Sequence, residues 1–189
     1  MKKKHLFNSL KVLLFSLTIF GCKQEAKPKP EGYLRLEYPE NSYHIQKTDC
    51  NFQFEKNAIA QFQKERENCQ YTVLYPSMKA SIYLNYKQIT NNLDYLLKDA
   101  QKLTYNHTVK AEEIIETPFI NPNKRVYGMF YNVTGNAATN IQFYATDSVK
   151  NFVVGTLYFY AKPHYDSIYP ATKYIEKDMK QLLETIEWQ

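Results

Sequence analysis

The chain has 189 residues, with 24 Lys and Arg against 19 Asp and Glu, a formal charge of +5. Lys2, Lys3, Lys4 and Lys11 all precede residue 22 with no acid among them. The remainder is therefore close to neutral, and binding to nucleic acid through a basic surface is not indicated. Seventeen Tyr and eleven Phe against five Gly point to a sheet protein, because aromatic rings fill pleated, half-buried surfaces and a tyrosine leaves its hydroxyl at the edge.

Met1-Lys2-Lys3-Lys4-His5 is a charged start followed by an apolar run from Leu6 to Phe20, the layout of a signal peptide over residues 1–21 and too short for a comfortable transmembrane helix. Ile19-Phe20-Gly21-Cys22 resembles a bacterial lipobox, with an aliphatic residue at −3, a small one at −1 and then cysteine. That chemistry puts diacylglycerol on the Cys22 thiol, cuts before Cys22 and acylates the new amino terminus; two or more chains anchor far better than one. The alternative is an ordinary signal peptide with Cys22 as a bystander. Residues 22–32, which include KQEAKPKPEG, read as a lipid-anchored linker reaching roughly 30 Å. A single globular domain is expected over 33–189.

Within that domain, Tyr33–Pro39 and Tyr43–Gln46 read as short strands or edge pieces, and Asn51–Glu55 alternates with Phe52 and Phe54 on one face. Ala58–Asn68 is polar and reads as a short helix or a loop. Tyr71–Tyr75 is a strand stopped by Pro76. In the next strand Ala80, Ile82, Leu84 and Tyr86 alternate with Ser81, Tyr83 and Asn85. Leu93, Leu96, Leu97, Ala100 and Leu103 form one apolar stripe of a helix from about Asn91 to Asn106, with Asn91 as its cap and Asp94 in the first turn. Strands follow at Glu113–Phe119, Arg125–Val133, Ala138–Thr146 and Asn151–Ala161, separated by short turns that favour an antiparallel meander. The last of these is apolar on both faces and belongs in the middle of the sheet or under a helix. Asp166 or Ser167 can cap a final helix with Ile168, Ala171, Ile175, Met179, Leu182 and Ile186 on its inner face, and Trp188 plugs the end. The sum is an α+β domain, a mostly antiparallel meandering sheet covered by two helices. Its element order resembles a PsbP/Mog1-type sandwich.

Little in the sequence suggests catalysis. His44, His107 and His164 stand at no metal-ligand spacing, Glu112 and Glu113 should point to opposite faces of a strand, and Ser148 lies in a turn with no nucleophile elbow. No catalytic, metal-binding or cofactor-binding residues are assigned, and the chain is expected not to be an enzyme. Cys50 and Cys69 remain as an even pair in an exported chain. A disulfide closing about twenty residues would contribute roughly 3 kcal/mol on the chain-entropy model; two ligands of a metal site are the alternative. The loops containing Asn106 and His107, and Gly135 and Asn136, are candidate partner contacts, although Gly135-Asn136 could simply supply a hairpin's positive φ. Asp147-Ser148-Val149 and Asp166-Ser167-Ile168 resemble O-glycosylation triplets of exported Bacteroidota proteins, but a turn and a helix cap already account for them.

The lipobox, the segment KPKPEGYLRLEYPE, the paired Cys50 and Cys69, NHTVKAEEI, and VYGMFYNVTGNAATNIQFYATDS followed by FVVGTLYFYAKPHYDSIYP together resemble the gliding-motility lipoprotein GldD family of the Bacteroidota. The resemblance implies an envelope lipoprotein needed for gliding that works alongside the type IX secretion machinery, and it carries over no active site. It implies partners among those envelope proteins and attachment to the membrane through acyl chains on Cys22. Lys23 gives no inner-membrane retention signal, so the outer membrane is expected, with the domain on the periplasmic side and surface display as the alternative. A small-ligand or glycan-binding module is the rival function, and it predicts a concave aromatic pocket.

Overall fold

The computed structural model describes residues 37–105, 111–135, 137, 139–160 and 165–189, all within the unit Tyr33–Gln189. In chain order the strands are β1 (Tyr43–Lys47), β2 (Phe52–Asn57), β3 (Gln61–Lys64), β4 (Gln70–Tyr75) and β5 (Ala80–Gln88). Helix α1 (Leu93–Tyr105) comes next, then β6 (Ala111–Asn121), β7 (Val126–Gly135), β8 (Thr139–Thr146) and β9 (Asn151–Phe159). Helix α2 (Tyr165–Thr185) and the short β10 (Glu187–Trp188) close the chain. The large sheet has the order β3-β4-β5-β9-β8-β7-β6, and a small one the order β1-β2-β10. Every pairing is antiparallel. This is the α+β arrangement expected from the sequence, with β6 to β9 as the meander.

β9 occupies the centre because it can bury both faces. Val153 and Leu157 point into the principal core with Ile82, Leu84, Phe143 and Ile141, against α2 and the small sheet. Phe152 points the other way, beneath Leu96 and Ala100 of α1, with Tyr144 and Val154 beside it. Gly155 interrupts an otherwise bulky strand for a steric reason: a Cβ there would sit 2.2 Å from the Phe143 ring. The glycine lets that ring fill the centre of the sheet.

Helix α2 presents Ile168, Ala171, Ile175, Met179 and Leu182 to the core, and Ile186 follows immediately after it; all six are buried. Burial of each large aliphatic side chain here is worth about 1.5–3 kcal/mol. Pro170 lies inside the helix. Trp188 pairs with Phe52 across β10–β2, and its indole N–H donates to the Arg125 carbonyl at 2.9 Å.

Several expectations are corrected. Residues 37–42 form no strand, and 33–36 lie outside the described residues. The ambiguous 58–68 segment contains β3, which forms because Phe62 packs against Phe54 and Tyr71 while its backbone pairs with β4. Helix α1 is capped by Asn92, whose carbonyl accepts from Leu96 N–H; Asn91 takes a left-handed φ of 58° instead. Asp166 and Ser167 fall inside the first turn of α2, where Asp166 still faces the positive end of the dipole. A register shift between Ala111 and Glu113 breaks the strict alternation expected at Glu112-Glu113. A disulfide joins Cys50 and Cys69, with Cα atoms 5.8 Å apart, and ties the β1–β2 connection to the start of β4.

Candidate functional site

Three carboxylates are buried, those of Asp178, Glu176 and Asp147, and each is held by the framework. Asp178 of α2, 3 % exposed, accepts from Asn41 Nδ2 (2.6 Å), Tyr43 hydroxyl (2.8 Å), Asn57 Nδ2 (2.9 Å) and Tyr75 hydroxyl (2.9 Å). Burial, reinforced by Asp178, pushes the Tyr75 and Tyr43 hydroxyls well above the usual tyrosine value. The cluster binds the start of the domain and the ends of β2 and β4 to one turn of α2. Glu176 accepts from Lys173, Lys180 and Asn132 at 2.7–2.9 Å. Burial alone would raise its carboxyl, but the two lysines outweigh burial and hold it below the usual range. Asp147 is likewise opposed by burial, yet its carboxylate stays low because it accepts the backbone N–H groups of Val149, Lys150 and Asn151, closing the β8–β9 turn. Among the described residues no group of three or more His, Cys, Asp or Glu could hold a metal ion.

The outer face of the sheet carries a different kind of cluster. Cross-strand pairing sets Ser81 opposite Tyr158 and Tyr83 opposite Thr156 on the face that also carries Phe152 and α1. The Tyr83 and Tyr158 rings meet edge to face with centroids 5.6 Å apart. Tyr160, whose N–H donates to the Lys79 carbonyl, places its hydroxyl 2.6 Å from Ser81 Oγ and 3.4 Å from the Tyr83 hydroxyl. Tyr160 is 60 % exposed and Tyr83 38 % exposed. The hydrogen bond with Tyr160, then burial, pushes the Tyr83 hydroxyl up to about 12. A phenol at that value stays neutral near pH 7, so the cluster is a poor general base. It offers rings for stacking and hydroxyls that can donate or accept.

At the same end of the sheet, a cleft of about 480 Å³ is lined by Tyr38, Met78, Lys79, Phe159, Ile168 and Ala171, with Glu37 at its margin. Tyr38 lies against Tyr174, with ring centroids 4.9 Å apart.

Of the residues singled out in the sequence, the structure describes Gly135, Ser148, Ser167 and His44. Cys22, Asn106, His107 and Asn136 lie outside the described residues, as do His107's companion loop residues and His164. Gly135 ends β7 with φ of 91°, the left-handed region that favours glycine. Ser148 has φ of 65° in the Asp147 turn and Ser167 lies in the first turn of α2. His44 is exposed on β1. The tyrosine cluster was half legible: the alternation at 80–86 separated Ser81 and Tyr83 from the core, but only the β5–β9 register brings Tyr158 and Tyr160 to them.

A family model described as gliding motility lipoprotein GldD matches residues 23–188. The chain belongs to that family. Membership makes it a lipoprotein associated with the cell envelope and gives it a role in gliding motility. Among solved structures, cyanobacterial PsbP (CyanoP) from Synechocystis is similar at 8 % identity and a TM-score of 0.48, over 85 % of this chain and 100 % of that one. No curated protein matches the sequence. Among the described residues of this GldD-family chain, no helix is long and apolar enough to cross a membrane.

Proposed function

We propose that this GldD-family lipoprotein is a non-enzymatic component, or an assembly and stability factor, that works with the type IX secretion machinery. Acyl chains on Cys22 anchor it to the outer membrane with the domain on the periplasmic side. The domain docks onto other envelope proteins of that machinery through the outer face of β5 and β9. The observation that carries this reading is the exposed Tyr83–Tyr158–Tyr160 cluster on the same domain whose buried acids are all committed to structure. Tyrosine is enriched at protein interfaces because one ring supplies contact area and a hydrogen bond at small entropic cost.

The test is colony spreading and type IX cargo secretion in a clean deletion, complemented by wild type, by Cys22→Ala, or by Tyr83→Ala with Tyr160→Ala. Rescue of both phenotypes by wild type alone, with the tyrosine variant folded and membrane-bound, is the expected result. Normal spreading and secretion in the deletion would refute the reading. The alternative, a glycan- or small-ligand-binding module, draws on the same rings. The tyrosines lie on a sheet face, whereas among the described residues the concave cleft opposite has Tyr38 and Phe159 as its aromatic walls, so docking is preferred. Saturable binding of soluble peptidoglycan fragments, abolished by the tyrosine variant, would reverse that order.

A further inference from the structure

A cleft lies where residues 37–39, residues 77–79 and the first turns of α2 meet. Its walls are apolar, made by Met78, Phe159, Ile168 and Ala171 with the Tyr38 ring, and its volume of about 480 Å³ is that of a small-ligand pocket. Two opposite charges stand among the lining residues, the exposed Glu37 and Lys79. Neither forms an ion pair among the described residues. The Tyr38 hydroxyl is buried and has no hydrogen-bond partner among the described residues. An unmet buried donor costs free energy that a ligand oxygen would recover.

These groups narrow the occupant. Apolar walls take a hydrocarbon chain. A carboxylate and an ammonium on one cleft suit a head that carries both signs, and each disfavours a head of its own sign. A hydroxyl beside the apolar wall suits an ester carbonyl. The course of the chain says where such an amphiphile comes from. The described residues begin at Glu37, on this cleft, fifteen residues after Cys22. That span reaches at most about 50 Å, so a lipoprotein tethered at Cys22 keeps the cleft within reach of its own bilayer.

We propose that this cleft seats one acyl chain of a zwitterionic membrane phospholipid, with the head between Glu37 and Lys79 and an ester carbonyl on the Tyr38 hydroxyl. The contact adds a second, reversible hold on the membrane and fixes how the tethered domain faces it. It rests on the anchor at Cys22 and is independent of the docking role of the tyrosine face.

The test uses the mature acylated full chain in vesicles of equal parts phosphatidylethanolamine and phosphatidylglycerol, with a trace of either lipid carrying a photoreactive diazirine in one acyl chain. The phosphatidylethanolamine probe should label peptides containing residues 77–79 and 167–171, and the phosphatidylglycerol probe should label them less. Lys79→Glu leaves two carboxylates on the cleft and should lower that labelling about two- to fivefold. Adding Glu37→Lys to it restores one charge of each sign and should recover the labelling. Tyr38→Phe removes the unmet hydroxyl, so it should be at least as stable as wild type in thermal unfolding yet label more weakly. Failure of the protein to co-sediment with the vesicles would refute the anchor and the proposal with it. Co-sedimentation with labelling confined to residues 22–36, labelling equal in wild type and Lys79→Glu, or stronger labelling by the phosphatidylglycerol probe would overturn the proposal alone.

Discussion

Replacing Asp178 by alanine removes the acceptor shared by Asn41, Tyr43, Asn57 and Tyr75. Asn41 and Tyr43 are part-buried and can turn to water, whereas Asn57 and Tyr75 are 1–2 % exposed and cannot. Each buried donor left without a partner costs about 1–3 kcal/mol, so with two such donors Asp178→Ala should lose about 2–6 kcal/mol. For a domain of this size that lowers Tm by about 10 °C. Asp178→Asn keeps the volume and one acceptor oxygen, and the Tyr75 hydroxyl can rotate to accept from the new amide, so its cost should be about 1–2 kcal/mol. Thermal and urea unfolding followed by circular dichroism, with the disulfide intact in all three proteins, measures both values. A loss under about 1 kcal/mol for the alanine variant, or equal losses for the two variants, would refute the view that Asp178 acts by accepting these hydrogen bonds.

Gly155→Ala should destabilise by about 1–3 kcal/mol because its Cβ would collide with Phe143, and Phe143→Leu in the same chain should recover part of that loss in a double-mutant cycle. Cys50→Ser with Cys69→Ser should cost about 3 kcal/mol, and a reductant should lower the wild-type Tm without affecting the variant. Tyr43, Tyr75 and Tyr131 have hydroxyls raised above the ordinary value, chiefly by burial. Their contribution is fully present below about pH 10 and is lost as pH rises through their folded-state values, so tyrosinate absorbance of these residues should appear together with alkaline unfolding. Asp147 and Glu176 have depressed values, so their contribution is present above about pH 4 and lost as pH falls through their folded-state values. Acid unfolding of Glu176→Gln should consequently be less steep than that of wild type.

The periodic parts of the fold were legible in the sequence. The leucine stripe of α1, the inner face of α2 and the two apolar faces of β9 each follow from one chemical pattern repeated over several turns or pleats. β3 was not legible, because Gln61-Phe62-Gln63-Lys64 has one apolar residue and becomes a strand only when β4 presents a partner backbone. The Asp178 cluster was hidden for a related reason: a single acid on the inner face of an amphipathic helix looks like an interruption until Asn41, Tyr43, Asn57 and Tyr75 arrive from distant segments. The exact cap of α1 depended on which of two adjacent asparagines turned left-handed, which pattern alone does not decide.

The abundance of tyrosine, ambiguous in the sequence, divides in the structure by what each hydroxyl meets. Tyr43 and Tyr75 donate to Asp178, Tyr71 donates to Asp49, and Tyr86 donates to Asn151. For Tyr75 and Tyr86, losing such a partner leaves a buried polar group unpaired, and Tyr71 is itself buried in the core, so these rings are fixed parts of the framework. Among the described residues, Tyr83 and Tyr160 meet each other and Ser81 through their hydroxyls. A hydroxyl paired with a hydroxyl can exchange its donor and acceptor roles, and the exposed member can turn to a new partner without leaving a charge behind. Framework tyrosines thus hold the domain's segments in place, while the outer pair retains hydrogen-bonding capacity that a docking protein can use. That difference, more than the number of rings, is what supports the proposed contact surface on the outer face of β5 and β9.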